Sequence, residues 1–378
     1  MRALPKAQVL FSDSERSGDM LYATGVFVPD PFLFFQWKRK KYVVVGDLEF
    51  SRMKREAKVD MVFSWREFQS VDRKGSSGAS KIARIYGAIL KSMDIRSLEV
   101  PEDFPLRLAD DFRKEGFQVQ AKRGLFFPQR ARKTEREVEL IRSALRAAET
   151  GLKSAAEILA QSKVEKRTGD LRLGGDLLTS ERLRMLIHRA ILETNCQARN
   201  TIVAGGKQGF DPHCRGEGVL RAGEPIIVDI FPRCESSGYY GDMTRTFVKS
   251  SPPPQLRSMF EAVKKAQDYA ISKVCSGAES HLIHKGIVEL FAREGFPTAE
   301  QEGRPVGFFH GTGHGVGLEL HEAPRINTKR GRLETGNVVT IEPGLYYPEL
   351  GGVRLEDVVL VRSDGAQVLS RFDRFLET

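Results

Sequence analysis

No stretch of the chain stays apolar for the ~20 residues that a bilayer-spanning helix requires, and residues 1–11 carry two basic side chains without the apolar core of a signal sequence. A cytoplasmic protein is therefore expected. Cysteine is scarce: Cys196, Cys214, Cys234 and Cys275 are the only four in 378 residues, and no two are spaced as CxxC. That disfavours a structural zinc site and a disulfide framework, and leaves the four as buried or idle thiols. Histidine is missing from the first third, all seven lying between His188 and His321. No solenoid period recurs. With 40% hydrophobic and 29% charged residues, disordered, collagen-like and coiled-coil classes are disfavoured.

The net charge of +9 invites a nucleic-acid reading, but its distribution argues otherwise. Residues 1–133 hold 26 Lys and Arg against 17 Asp and Glu, whereas residues 134–378 balance at 33 against 33. The excess belongs to the first third and the imidazoles and thiols to the rest. Two domains are expected, with the chemistry in the second and neither nucleic acid nor membrane as partner.

In the first segment, Phe32 to Trp37 and Tyr42 to Val45 are β-prone runs around a basic turn, Lys38 to Lys41, which predicts a hairpin. Ile82 to Met93 has helical spacing after a Gly-Ser-rich turn at Gly75 to Ser80. Residues 126–133 read as a linker between a domain over 1–125 and one over 134–378. Thr134 and Glu137 form a capping box opening a helix whose apolar face is Val138, Ile141, Leu145, Ala148 and Leu152. Further helices are expected at Ser180 to Glu193, Gln255 to Val274 and Ser280 to Arg293. Strands are expected at Thr201 to Ala204, Ile226 to Phe231, Tyr239 to Val248, Val338 to Glu342 and Val353 to Val361. The fold class is α+β, with a curved, mostly antiparallel sheet in the second domain and a smaller α/β domain before it.

Two acidic residues close apolar strands: Asp229 after Pro225-Ile226-Ile227-Val228, and Glu342 after Val338-Val339-Thr340-Ile341. Burying an unpaired carboxylate costs several kcal/mol or shifts its pKa until it neutralises, so a cation should lie nearby. Period-two alternation puts Val338, Thr340 and Glu342 on one face, and Arg354 with Glu356 on one face of the next strand. Asp242 follows Asp229 by thirteen positions, enough for a strand, a turn and a returning strand. Four carboxylates on neighbouring strands point to a pair of divalent metals, Mn2+, Co2+ or a similar ion. The run from His310 to Glu322 adds three imidazoles and four glycines; the glycines oppose a regular helix and let backbone approach a ligand, and neutral imidazole is a common metal ligand. His188, His281 and His284 read as ordinary surface or interface residues, and Arg245 and Arg354 as possible ion-pair partners.

The order Asp229, Asp242, His314, Glu342, Glu356, within VDI, GDMTRTF, HGTGHGVGLELHEAP, IEPGLY and VRLED, resembles the pita-bread metallopeptidases, most closely their Xaa-Pro branch of aminopeptidase P and prolidase. The resemblance covers residues 134–378, and more weakly the N-terminal domain of that branch. It implies the C-terminal pita-bread fold and two divalent metals, with Mn2+ foremost and Co2+ or Zn2+ as alternatives. Asp242 and Glu356 would bridge them, Asp229 would complete one site, and His314 with Glu342 the other. It further implies hydrolysis of the bond preceding proline by a water or hydroxide bridging the metals, with Glu342 carrying the proton. His213 would lie on the approach to the scissile bond, His310 and His321 at the proline pocket and the tetrahedral intermediate, and Arg354 would orient the site. A proline-containing peptide as substrate and a homodimer are implied in the same way.

One departure stands out. The interval from Asp229 to Asp242 exceeds the family's usual one by about two residues, and Val228-Asp229-Ile230-Phe231-Pro232 replaces its usual VDxG text; a longer hairpin turn carrying Arg233 to Gly238 is expected. Two other functions share the fold: a metal-independent, creatinase-like hydrolase and a catalytically silent binding module. The five retained ligands weigh against both. The sequence does not separate dipeptidase from aminopeptidase.

Overall fold

The computed structural model describes residues 5–68 and 78–378. The first residues of the expected turn at Gly75 to Ser80, 75–77, lie outside the described residues, as do residues 1–4. The chain divides into two compact units, Met1–Arg130 and Ala131–Thr378.

In the first unit the strand Phe32–Trp37 is apolar along both faces, so it is covered twice. Leu33, Phe35 and Trp37 pack into one core, and Phe32 and Phe34 into another. A mixed six-stranded sheet surrounds it, in the order Met61–Ser64, Lys40–Val45, Phe32–Trp37, Ala7–Ser12, Ser97–Val100, Gln118–Ala121. The expected hairpin is present, but its turn is only Lys38 and Arg39, both at positive φ (48° and 68°), and Lys40 already pairs with Trp37. The two-residue connection needs that left-handed backbone to match strand twist.

The second unit opens on Glu135–Gln161, capped by Thr134, whose hydroxyl accepts from Glu137 N–H while the Glu137 carboxylate accepts from Thr134 N–H. All five residues of its anticipated apolar face are buried. Ser180–Leu192 packs on this helix, and Pro254–Lys273 pairs with Ser280–Arg293. The curved sheet consists of two antiparallel parts. One has three strands, Ile202–Gly205, Ile226–Ile230 and Met243–Phe247; the other has five, including Gly313–Gly315, Val338–Ile341 and Asp357–Val361. The parts are tied where Glu356 N–H donates to the Thr244 carbonyl at 3.0 Å.

Three expectations are corrected. The strand expected from Tyr239 begins only at Met243, because Tyr239 and Tyr240 belong to the preceding turn. The strand expected at Val353 to Val361 breaks at Leu355 and Glu356 into Gly351–Arg354 and Asp357–Val361, which pair with different partners. Arg354 and Glu356 therefore do not share the face of one strand. The turn between Asp229 and Asp242 is more than a longer hairpin. Arg233–Cys234 is a short strand paired with Cys196–Gln197, and Gly238 at φ 77° closes the turn behind it.

Candidate active site

A cavity of about 780 Å³ opens in the second unit, and Asp229, Asp242, His314, Glu342, Glu356, His213, His310, His321 and Arg354 all line it. They arrive from strand ends, where side chains leave the packed ladder. Asp229 sits in Ile226–Ile230, Asp242 immediately before Met243–Phe247, Glu342 immediately after Val338–Ile341, and Glu356 in the break before Asp357–Val361. Gly241 sets the entry of Asp242: a Cβ there would come within 2.6 Å of the Ala144 carbonyl carbon, so the turn lies directly on the long helix.

Asp242, His314 and Glu356 each offer a ligand atom, and these atoms lie within 4.8 Å of one another. Each is held from outside the cluster. Glu356 accepts from the Thr244 hydroxyl at 2.7 Å. His314 Nδ1 faces the Gly315 carbonyl at 3.1 Å, which can only accept, so Nδ1 carries the proton and Nε2 presents its lone pair. Nε2 lies 3.3 Å from Glu342 and 3.7 Å from Asp242. Burial, and then the neighbouring His321, lower His314 to about 3, so the imidazole is neutral and able to ligate. The His321 ring stands edge-on to it, with centroids 4.3 Å apart.

The carboxylates show what the cluster lacks. Burial, then repulsion from Glu356, Asp229 and Glu342, pushes Asp242 well above the usual carboxylate range. Burial, then Glu342 and Asp229, does the same to Glu356. Glu342 rises to about 7, chiefly through burial, although Arg354 opposes this. Among the described residues, Asp229 Oδ1 is buried without a hydrogen-bond partner. Hard oxygen donors, one neutral imidazole and an orphaned carboxylate oxygen fit divalent metal ions, which would offset the mutual repulsion.

Arg354 Nη2 pairs with Asp229 Oδ2 at 2.8 Å, while its Nη1 donates to Tyr346 Oη at 2.9 Å and to the Pro212 carbonyl at 3.3 Å. His310 Nδ1 donates to the Gly311 carbonyl, so Nε2 accepts from Tyr346 Oη at 2.9 Å. Burial, and then Arg354, lowers His310 to about 3. A chain of polar contacts thus runs from Asp229 through Arg354 and Tyr346 to His310. Tyr346 was missed in sequence; the available signal was a tyrosine in the apolar IEPGLYY run, since a buried hydroxyl requires a partner. His213 is exposed at the cavity, its N–H turned to Asp211 Oδ1 at 3.0 Å.

Other residues fall into supporting places. Arg245, 1% exposed, points away from the cavity. It pairs with Asp357 at 2.8 Å and donates to the Glu356 carbonyl, which fixes the backbone of that residue from behind. His284, expected as an ordinary surface or interface residue, is buried within the unit, its Nδ1 3.0 Å from the Thr312 hydroxyl. His188 contacts Thr201 at 2.9 Å and His281 lies 3.7 Å from Glu279; neither lines the cavity. Of the glycines of the histidine run, Gly311 and Gly313 line the cavity, and some serve the packing of the chain as well. A Cβ on Gly313 would lie 1.9 Å from the Thr340 carbonyl oxygen, and one on Gly315 2.3 Å from that of Ala323. They let neighbouring backbone approach.

A carboxylate cluster with one imidazole, mounted where two antiparallel sheets meet, defines a metallohydrolase class of fold and site. The chain belongs to metallopeptidase family M24, whose family model matches residues 139–363, and it lies in the Xaa-Pro aminopeptidase and prolidase branch. It is 31% identical over 246 residues to an Xaa-Pro dipeptidase of Pyrococcus furiosus, covering 65% of this chain and 64% of that protein. With the Xaa-Pro dipeptidase of Pyrococcus horikoshii it shares 27% over 286 residues, 75% of each chain. In structure it resembles the prolidase from Pyrococcus furiosus, with a TM-score of 0.78 and 23% identity over 98% of this chain and 97% of that one. It also resembles the X-Pro aminopeptidase from Thermotoga maritima, with a TM-score of 0.79 and 19% identity over 99% and 97%. These likenesses show the α+β pita-bread-like fold with its N-terminal domain.

Proposed function

We propose that the chain hydrolyses the peptide bond preceding proline, with two divalent metal ions as resident cofactors, manganese foremost and cobalt or zinc as alternatives. The observation that carries this is the convergence of Asp242, His314 and Glu356 within 4.8 Å in a cavity that Asp229 and Glu342 also line. Asp242 and Glu356 would serve both ions, Asp229 one, and His314 with Glu342 the other. When bound, such ions polarise a carbonyl and lower the pKa of water.

The chain's own residues do the rest. Glu342, lining the cavity with a carboxylate oxygen 3.3 Å from His314 Nε2, is placed to take a proton from the attacking water and give it to the departing proline nitrogen. Arg354 fixes one oxygen of Asp229, leaving the other for a cation. His310, held by Tyr346, and His321 flank the space where the scissile carbonyl would develop charge. His213 stands on the approach.

Arg325 supports the dipeptidase form. Its guanidinium lines the cavity, exposed and without a hydrogen-bond or ion-pair partner among the described residues, as recognition of a free substrate carboxylate would require. Both Pyrococcus relatives are Xaa-Pro dipeptidases, which supports the same reading. Hydrolysis of an Xaa-Pro dipeptide compared with a longer Xaa-Pro-Yaa peptide, after metal removal and restoration, tests both levels. The expected result is metal-dependent release with the dipeptide preferred. Preference for the longer peptide would replace dipeptidase by aminopeptidase, and inactivity on every Xaa-Pro peptide with metal restored would remove the proposal.

A further inference from the structure

The excursion between Asp229 and Asp242 carries chemistry that peptide hydrolysis does not use. Cys234, on Arg233–Cys234, stands directly across from Cys196 on the antiparallel Cys196–Gln197. The two thiols are free, 1% and 6% exposed for Cys196 and Cys234, and their sulfurs are 2.7 Å apart.

The backbone hydrogen bonds identify the kind of pair. Cys234 donates its N–H to the Tyr239 carbonyl and accepts from Gly238 N–H, so both of its backbone groups face its own turn. The strand-to-strand bond is made one residue along, from Glu235 N–H to the Asn195 carbonyl. Cys196 and Cys234 are thus a non-hydrogen-bonded antiparallel pair. Such pairs bring Cα atoms to about 4.5 Å, inside the range of roughly 4.4–6.8 Å that a disulfide spans. We propose that Cys196 and Cys234 form a redox modification site, closing to a cross-strand disulfide when the protein meets hydrogen peroxide.

Cys234 is the attacking sulfur. The Cys196 thiol, Ser143 and Ser237 hydrogen-bond it and Arg146 lies near, which brings it to about 7. Cys196, sharing that sulfur–sulfur contact and buried, shifts the opposite way. The Cys234 thiolate attacks one peroxide oxygen, the O–O bond breaks, and the leaving oxygen departs as water after taking a proton, leaving a sulfenic acid. The Cys196 sulfur then displaces the sulfenic oxygen, which leaves as a second water with the Cys196 proton. Two thiols are oxidised to one disulfide and one peroxide is reduced to two waters. A dithiol reverses this by exchange.

The bond would tie together two segments of the cavity rim. Phe231, three residues before Cys234, and Asn200 and Ile202, just after Cys196, line the cavity. Closing a loop between positions 38 apart also restrains the unfolded chain. The site does not depend on which bond the protein hydrolyses.

The test treats purified full-length protein with a slight excess of hydrogen peroxide, counts thiols after denaturation, and maps unreduced proteolytic fragments by mass. The expected outcome is a fall from four thiols to two, one fragment joining Cys196 to Cys234 at a loss of two hydrogens, and a Tm higher by roughly 5–10 °C. A dithiol should reverse all three. In Cys196→Ser, Cys234 should instead proceed to sulfinic acid; if that variant does not fold, the fragment map of the unaltered protein decides alone. Four surviving thiols, or thiol loss without the joined fragment, would overturn the proposal.

Discussion

Arg354 Nη2 lies 2.8 Å from Asp229 Oδ2 while the other carboxylate oxygen, Oδ1, is buried with no hydrogen-bond partner. One guanidinium thereby fixes the rotation of a carboxylate 125 positions away in sequence and aims its free oxygen. Arg354→Lys keeps the charge but cannot reach Asp229, Tyr346 and Pro212 together. Loss of such an orienting partner costs about 10–100-fold in activity or metal affinity. Tyr346→Phe should fall at the low end of that range, since it removes only the hydroxyl between Arg354 and His310. Parallel measurement of kcat/KM and metal binding checks both; an unchanged Arg354→Lys enzyme would contradict the assignment.

Glu356 is 2% exposed and belongs to the ligand triad, so Glu356→Ala should abolish peptidase activity and reduce bound metal. The fold should persist, because the variant also removes a carboxylate whose proton affinity burial, and then repulsion, have raised. Circular dichroism beside metal analysis distinguishes this from unfolding. Treatment of the unaltered protein with a chelator should likewise remove activity, and added Mn2+ should restore it.

The metal-free protein should show a pH signature from Glu342. A carboxyl whose folded pKa, about 7, exceeds its unfolded value contributes fully at low pH, and that contribution is lost as pH rises through about 7. Glu342→Gln cannot ionise and should keep at pH 8 a stability that the unaltered protein loses, on the order of 3 kcal/mol. The buried histidines are the same in both proteins, so their titration cancels in the difference. Denaturant midpoints with chelator at about pH 4.5 and pH 8, each taken for Glu342→Gln beside the unaltered protein, measure it, because the loss runs from the unfolded carboxyl value up to about 7. Parallel pH profiles for the two proteins would contradict the reading.

Lys133 and Glu322 form an ion pair at 3.0 Å with side chains 1% and 6% exposed, beside His321. Glu322 also accepts from Glu319 N–H, holding the end of the histidine run. Lys133→Met leaves a buried carboxylate without its cation and should destabilise by about 3–5 kcal/mol. The double change Lys133→Met with Glu322→Gln should recover much of that. Chemical denaturation of the single and double variants gives the coupling; additive losses would show the pair to be independent.

Local pattern was legible wherever the physics is local. The capping box at Thr134, the buried face from Val138 to Leu152 and the apolar strands ending in Asp229 and Glu342 follow from backbone periodicity and desolvation cost. The break at Leu355 and Glu356 was not legible, because an apolar-polar pattern continues through it while the two halves pair with different strands. His284 could not be told from a surface or interface histidine, since the groups it meets, the Phe308 ring and the Thr312 hydroxyl, lie 24 and 28 positions away.

The residues alone therefore determined the order and chemistry of the candidate ligands and placed them in the second unit, since donor type and helix or strand period belong to the chain itself. Tertiary structure decided which oxygen of Asp229 is left free and which nitrogen of His314 presents its lone pair. It also linked Tyr346 to His310 and set two scarce cysteines face to face across strands. The His314 nitrogen is set by the carbonyl of the adjacent Gly315, but the other three depend on a sheet register that brings together groups tens to more than a hundred positions apart. Such distances are fixed by packing and strand pairing, and no local spacing encodes them.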